Sequence, residues 1–172
     1  MEVFEAMRRR RSVRHFDPTR DVPQEMLEEM LRCACLAPSA GNVQPWRFVV
    51  VKEEGKKKAL AAAALGQDFV ARAPVVIVVC ADLSAHAASY GRRGVETYAL
   101  QDTAAAVQNM LLAATALGLG ACWVGAFNEA EAAGILGLPR GRRPVALIPV
   151  GYPARESSRP PKKDFREVTE YI

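Results

Sequence analysis

Ala37-Pro38-Ser39-Ala40-Gly41-Asn42-Val43-Gln44-Pro45-Trp46 joins a helical pattern to a β-branched run. Upstream, Met26, Leu27, Met30, Leu31 and Ala34 recur at helical spacing. That helix is expected to start near Asp21, with Gln24 three residues on resembling a capping box. It stops before Pro38, because the residue preceding a proline is pushed out of the helical region. Downstream, Phe48-Val49-Val50-Val51 predicts a strand. Ser, Gly, Asn and Pro are ordinary loop residues, but the amides Asn42 and Gln44 beside the large aromatic Trp46 are unusual in a bare connector.

Toward the N-terminus, a short helix carries Val3, Phe4 and Met7 and ends in arginines, and Val13-Arg14-His15-Phe16 leads into the turn signal Asp17-Pro18. Toward the C-terminus, Lys56 to Ala64 reads as a helix. Val75 to Cys80 is a continuous β-branched run suited to a central strand covered on both faces. Tyr98 to Leu117 is the longest helical segment, alanine-rich and apolar nearly all round, so it must be buried in the core or at a subunit interface. Gly118 is placed to end it. Ala121 to Val124 predicts a strand, Glu129 to Leu136 a short helix and Val145 to Val150 a last strand. Residues 154–172 are polar and proline-containing and read as an extended arm.

The 172 residues are the length of one domain, with half apolar and 24% charged, the composition of a folded soluble protein. The N-terminus lacks signal-peptide order, and the apolar runs are too short or interrupted to span a bilayer. A cytoplasmic protein without membrane contact is expected. Cys33, Cys35, Cys80 and Cys122 form no C-x-x-C pair and, with two histidines, no zinc cluster, so free thiols and no metal are expected. The net charge of +4 is concentrated at the two chain ends, Arg8 to Arg14 and Arg155 to Arg166. If those ends meet, they make an anion site.

A basic cluster is most often a solvated face or a nucleic-acid patch. The run Arg10-Arg11-Ser12-Val13-Arg14 adds to this a hydroxyl among guanidinium forks that clamp phosphate bidentately, and extended backbone would put Arg10, Ser12 and Arg14 on one side. The glycines of Leu117 to Phe127 suggest a dinucleotide fingerprint, but that motif follows a strand and opens a helix. Here they follow a helix and open a strand, so that reading fails. Helix–strand packing is the alternative role for Gly118 and Gly120. His15 and His86 sit near no Ser, Asp or Cys partner in a recognisable nucleophile motif, and no catalytic role is expected of either.

Taken in order, Arg10-x-Ser12-x-Arg14, Ser39-x-x-Asn42-x-Gln44-Pro45-Trp46 and Gly118-Leu119-Gly120-x-x-Trp123-x-Gly125 resemble the FMN-binding signatures of the nitroreductase family, and the resemblance covers nearly the whole chain. It implies an α+β nitroreductase fold for residues 1–172: a mixed, mainly antiparallel sheet surrounded by helices, in an intertwined homodimer. It implies that Arg10, Arg11, Ser12 and Arg14 hold the FMN phosphate, and that the 38–44 loop reaches the flavin of the opposite subunit. In that loop Pro38, Ser39 and Ala40 would lie near the ring, with Asn42 and Gln44 fixing the loop. Val124 and Gly125 would bring backbone to the ring, and glycine's missing Cβ permits close approach there. Gln67 would meet the pyrimidine edge, and Lys162, Lys163 or Arg159 would return to the phosphate.

The activity implied is reduction of nitroaromatics, quinones or flavins with NADH or NADPH by a ping-pong two-electron mechanism, the hard chemistry belonging to the cofactor. Compared with longer members, the stretch from Asp82 to Tyr98 is short, which implies a more open site. Two other readings stand beside this one. One is a specialised, dehalogenase-like or flavin-destroying member of the superfamily. The other is a basic nucleic-acid-binding module, which would need aromatics interleaved with the cations, whereas the run holds none before Phe16.

Overall fold

The computed structural model describes residues 1–156, 158 and 160–172. In chain order the elements are α1 (Val3–Arg9), α2 (Gln24–Cys35), β1 (Trp46–Val51), α3 (Glu54–Ala63), α4 (Phe69–Arg72), β2 (Val75–Asp82), α5 (Leu83–Arg93), α6 (Ala99–Ala116), β3 (Gly120–Ala121), α7 (Glu129–Leu136) and β4 (Arg142–Gly151). Short 3₁₀ turns at Ala40–Asn42 and Phe165–Val168 and a π-helical turn at Gly94–Tyr98 complete them.

The sheet has the order β1-β2-β4-β3, with every ladder antiparallel. A parallel bridge, Ser12 to Ala121, lies at its edge. Because strand side chains alternate between faces, β2 feeds two cores. Val75, Ile77 and Val79 pack with Leu27 and Met30 of α2 and Val107 and Met110 of α6. Val76, Val78 and Cys80 pack with Leu60 of α3 and Ala132 of α7. The β-branched run is thus a central strand with both faces covered, as its composition predicts.

Several boundaries differ from the sequence expectation. No capping box forms at Asp21: α2 starts at Gln24, with Pro23 in the N-cap position and no side-chain cap. The strand expected over Ala121 to Val124 shortens to Gly120–Ala121 plus a bridge from Val124 to Leu147. Pro149 of β4 stands opposite the interruption, and proline cannot donate to a ladder. β4 carries a second proline, Pro144, beside the register shift between Val79 and Cys80.

The segment between Asp82 and Tyr98, which carries no periodic pattern, is helical. Asp82 caps α5, accepting from the Ser84 N–H at 3.3 Å and its hydroxyl at 2.6 Å. The helix breaks at Gly91 (φ 56°, ψ −138°) and runs through the π-helical turn into α6. α6 buries Ala99, Thr103, Ala106, Val107, Met110 and Ala114, and Gly118 beyond its end takes a left-handed φ of 76°. Among the described residues, large apolar side chains are exposed on α1, at Val3, Phe4 and Met7, and on the C-terminal arm, at Phe165, Val168 and Tyr171.

Candidate functional site

The two cationic ends of the chain do meet. The segment after α1 runs along the sheet edge, where the Val13 N–H donates to Ala121 O at 3.0 Å, the Asp17 N–H to Tyr152 O at 2.8 Å and the Ala154 N–H to His15 O at 3.0 Å. Val13 and Phe16 are buried in the core, and Arg14 and His15 between them are exposed. The approach of this segment to β3 is close: a Cβ on Gly120 would lie 2.7 Å from the Val13 side chain.

The result is a cavity of about 530 Å³ with walls from Arg10, Arg11, Ser12, Arg14 and His15 on one side and Arg155, Glu156, Ser158, Pro160 and Lys162 on the other. Among the described residues, five fixed cations, Arg10, Arg11, Arg14, Arg155 and Lys162, share this wall with one carboxylate, Glu156. Arg11 pairs with that carboxylate at 3.2 Å. Strand alternation alone would have placed Arg11 opposite Arg10 and Ser12, but its long side chain still reaches the cavity. Arg14 also lies over the Phe69 ring, 5.7 Å from its centroid. This donor set, guanidinium forks with an ammonium and a hydroxyl, is the chemistry that binds a phosphate dianion.

Cys122 belongs to the same corner and escaped the sequence reading. Burial pushes its thiol up, while Arg14, a hydrogen bond with Ser12, and Arg10 pull it back down. Its place beside Ser12 and Arg14 depends on the sheet register, so no local motif marks it. Arg155 was visible in the sequence only as part of the charge excess at the C-terminal end; it touches His15, of which no catalytic role was expected, through Nη2 and Nε2 at 2.5 Å. Lys163 is not in the cavity wall, and Arg159 lies outside the described residues.

Gln67 follows α3 and donates from Nε2 to Ala64 O at 2.9 Å and to Ala126 O at 3.1 Å. It thereby ties the turn before α4 to the residue after Gly125. Val124 is buried and exchanges two 2.9 Å backbone hydrogen bonds with Leu147. Gly125 is exposed, and a Cβ there would meet no atom closer than 4.0 Å. Backbone at this position is open to an incoming ligand.

The 38–44 loop contributes no residue to the described walls of the cationic cavity. Its form is set by backbone: Gly41, Asn42 and Gln44 take left-handed φ values of 56°, 56° and 52°. The Gln44 N–H donates to Ser39 Oγ at 3.0 Å and its side-chain amide to Asn42 Oδ1 at 3.1 Å. Asn42 and Gln44 thus fasten the loop to itself. The Ala40 N–H donates to both carboxylate oxygens of Asp102 on α6, each at 3.2 Å. His86 of α5 is completely buried, with Nε2 2.8 Å from Asp102 Oδ2. A carboxylate partner for His86 therefore exists, although no nucleophile accompanies the pair. It is 16 residues away on the next helix, across the break at Gly91, which is why no sequence motif shows it.

Among the described residues no group of three or more His, Cys, Asp or Glu side chains is placed to hold a metal, and no helix is long and apolar enough to cross a membrane. All four cysteines are free thiols.

A model of the nitroreductase family matches residues 7–67 and 58–152. A Thermus thermophilus protein named NADH dehydrogenase is 38% identical over 185 residues, covering 91% of this chain and 89% of its own. An FMN reductase [NAD(P)H] of Bacillus subtilis is 28% identical over 174 residues, covering 94% of this chain and 70% of its own. The crystal structure of a nitroreductase family protein from Streptococcus pneumoniae superimposes with a TM-score of 0.91 at 26% identity, over 99% of this chain and all of that one. The family match, the identity to these relatives and the superposition of the fold agree, and the chain belongs to the nitroreductase family.

Proposed function

We propose that this protein is an FMN-dependent oxidoreductase that uses NADH or NADPH to reduce a small acceptor such as a nitroaromatic, a quinone or a flavin. The observation that carries the reading is the cavity where Arg10, Ser12 and Arg14 meet Lys162 of the arm. Its cations and hydroxyl fit a phosphate monoester, and the family relationship makes FMN the ligand that fits best. The FMN reductase name of the Bacillus subtilis relative supports the same cofactor.

When bound, FMN supplies the two-electron chemistry, accepting hydride from the reduced nicotinamide and passing it to the acceptor. The chain's own residues bind and orient. Arg10, Arg11, Ser12 and Arg14, with Lys162, hold the phosphate. Gln67 offers its side-chain amide to the pyrimidine edge of the ring, and the open backbone at Gly125 admits the ring edge. The surplus of positive charge favours an anionic ligand and opposes no step that adds electrons to it. Donor and acceptor occupying the same open face in turn give ping-pong kinetics.

A homodimer completes the site. Loop 38–44 lies outside the cationic cavity of its own protomer, and the apolar side chains of α1 and of the arm lack cover within it. A second copy supplies cover for both and brings its loop to the flavin. The same reading places the enzyme in the cytoplasm, acting on small molecules and not on nucleic acid.

The test is the visible absorption of the purified protein, followed by anaerobic addition of NADH or NADPH. A flavin spectrum that bleaches with either nucleotide is the expected result and identifies the donor. A colourless protein that cannot be reconstituted with FMN overturns the proposal. Sedimentation at micromolar concentration is expected to give a dimer, and a monomer that retains FMN would remove the shared-site part.

A further inference from the structure

One polar cluster lies outside the cationic cavity and inside an otherwise apolar core. Asp102, 7% exposed, and His86, fully buried, sit among Ala99, Ala106 and their neighbours on α5 and α6. A buried carboxylate is costly unless donors surround it, and here the donors are the Ala40 N–H and the His86 ring. The hydrogen placement follows from the partners. His86 Nδ1 is buried with no hydrogen-bond partner. A proton there would be an orphaned donor and would leave the Nε2 lone pair facing a carboxylate, so the proton belongs on Nε2 and the ring donates to Asp102.

The same helix touches the loop a second time. Tyr90, one turn beyond His86, places its hydroxyl against Gly41, where any Cβ would overlap it. The Tyr90 ring packs edge-on against Tyr98, 5.2 Å between centroids, and Arg93 donates to the Tyr98 hydroxyl at 2.9 Å. The segment from Leu83 to Tyr98 therefore meets loop 38–44 at two adjacent residues, Gly41 directly through Tyr90 and Ala40 through His86 and the Asp102 carboxylate of α6.

We propose that His86 and Asp102 are positioning residues: they couple the 83–98 segment to Ala40 and Gly41, and so set how the loop meets the flavin. The proposal rests on the reading of loop 38–44 as a flavin contact. Neither side chain is exposed enough to touch a substrate, so their effect reaches the site through the loop backbone. The segment that shapes the open side of the site and the loop that borders the ring then move as one unit. A change in the segment is felt in cofactor binding.

The experiment compares His86→Leu, His86→Gln and Asp102→Asn in the full-length protein. Three readouts are taken: amide hydrogen exchange of the 38–44 peptide without flavin, FMN affinity by flavin fluorescence, and the absorption band of the bound flavin. His86→Leu removes the donor at similar volume. It is expected to speed exchange in the loop, weaken FMN on the order of tenfold, as befits one buried charge-assisted hydrogen bond, and shift the flavin band. Glutamine carries an N–H at nearly the place of Nε2, so His86→Gln is expected to restore slow exchange and most of the affinity. Asp102→Asn keeps one acceptor for Ala40 and is expected to fall between the two.

Equal loss in the leucine and glutamine variants would assign the effect to packing and overturn the proposal. So would wild-type exchange, affinity and flavin band in His86→Leu, provided Arg14→Ala still weakens FMN. If His86→Leu does not fold, the same comparison is made between His86→Gln and Asp102→Asn, and a wild-type loop in the latter overturns the coupling. Failure of the wild-type protein to bind FMN would instead remove the flavin reading, while loop exchange in the flavin-free protein still decides whether the coupling exists.

Discussion

Around the cationic cavity the binding groups are charged side chains near the surface, carried by a segment laid along β3 and an arm that folds back over it. In loop 38–44 the groups are backbone amides and short polar side chains in left-handed conformations, fastened to a buried carboxylate. The first region is specified by residue type, so each side chain can be removed with the local fold kept. The second is specified by geometry, so its contribution depends on distant elements, α5 and α6, that share no sequence motif with it. Under the proposed function, charge supplies affinity for the phosphate and backbone shape supplies the fit around the ring.

The largest effect is expected where charge is removed. Arg10→Ala combined with Arg14→Ala should weaken FMN about a hundredfold or more, since each hydrogen bond to a charged group contributes roughly 1.5–3 kcal/mol. Riboflavin, which lacks the phosphate, should lose little affinity in this variant, and fluorescence titration with both flavins measures the difference. An unchanged preference for FMN over riboflavin would take the phosphate away from this cavity.

Gly120→Val should come next. It drives a side chain into Val13, and overpacking of this kind costs about 1–3 kcal/mol. Urea unfolding should show the loss, and FMN should weaken with it because the Arg10–Arg14 segment is displaced. A variant as stable as the parent would mean that the segment can lift from the edge freely.

On the other side of the comparison, Asn42→Ala should weaken both flavins by a similar factor, on the order of tenfold. Alanine loses the Gln44 amide contact and tolerates the left-handed backbone less well than asparagine. A ratio of FMN to riboflavin affinity that stays at the wild-type value marks the loop as a ring contact, and a collapsed ratio would place it at the phosphate instead.

The smallest effect concerns the start of α5. Hydrogen bonds from Ser84 hold the Asp82 carboxyl below the usual aspartate range, with Arg47 and Arg142 adding to the shift. A carboxyl with a lowered folded value stabilises above its unfolded value and loses that contribution as pH falls through the lowered one. Asp82→Ala should therefore cost about 1 kcal/mol near neutral pH, and less in acid. Thermal melts at neutral and acidic pH measure it. An equal loss at both pH values would separate the cap from the charge.

Much of the site was legible in the chain because its signals are local. Arg10, Ser12 and Arg14 announce an anion site by residue type, whereas the charge excess at both ends left open whether they meet. Pro38 and Gly118 marked helix ends through backbone restrictions that act within a residue or two. The unmarked parts share a different cause. The helices between Asp82 and Tyr98 contain Gly91 and Gly94, which disfavour a helix along the chain, so no local run of helix formers marks them. Cys122 reached the arginines through sheet register, and His86 found Asp102 across a helix break.

By itself, then, the sequence determined what depends on near neighbours along the chain: the central β2 run, the buried α6, the chemistry of the cationic segment and the composition of the loop. Only the tertiary structure decided the pairing of chain ends into one cavity, the exclusion of loop 38–44 from it within a protomer, and the buried link from His86 through Asp102 to Ala40. Each of these joins residues far apart in sequence. Their contact is fixed by how the two cores pack on β2, and short-range propensity carries no record of that.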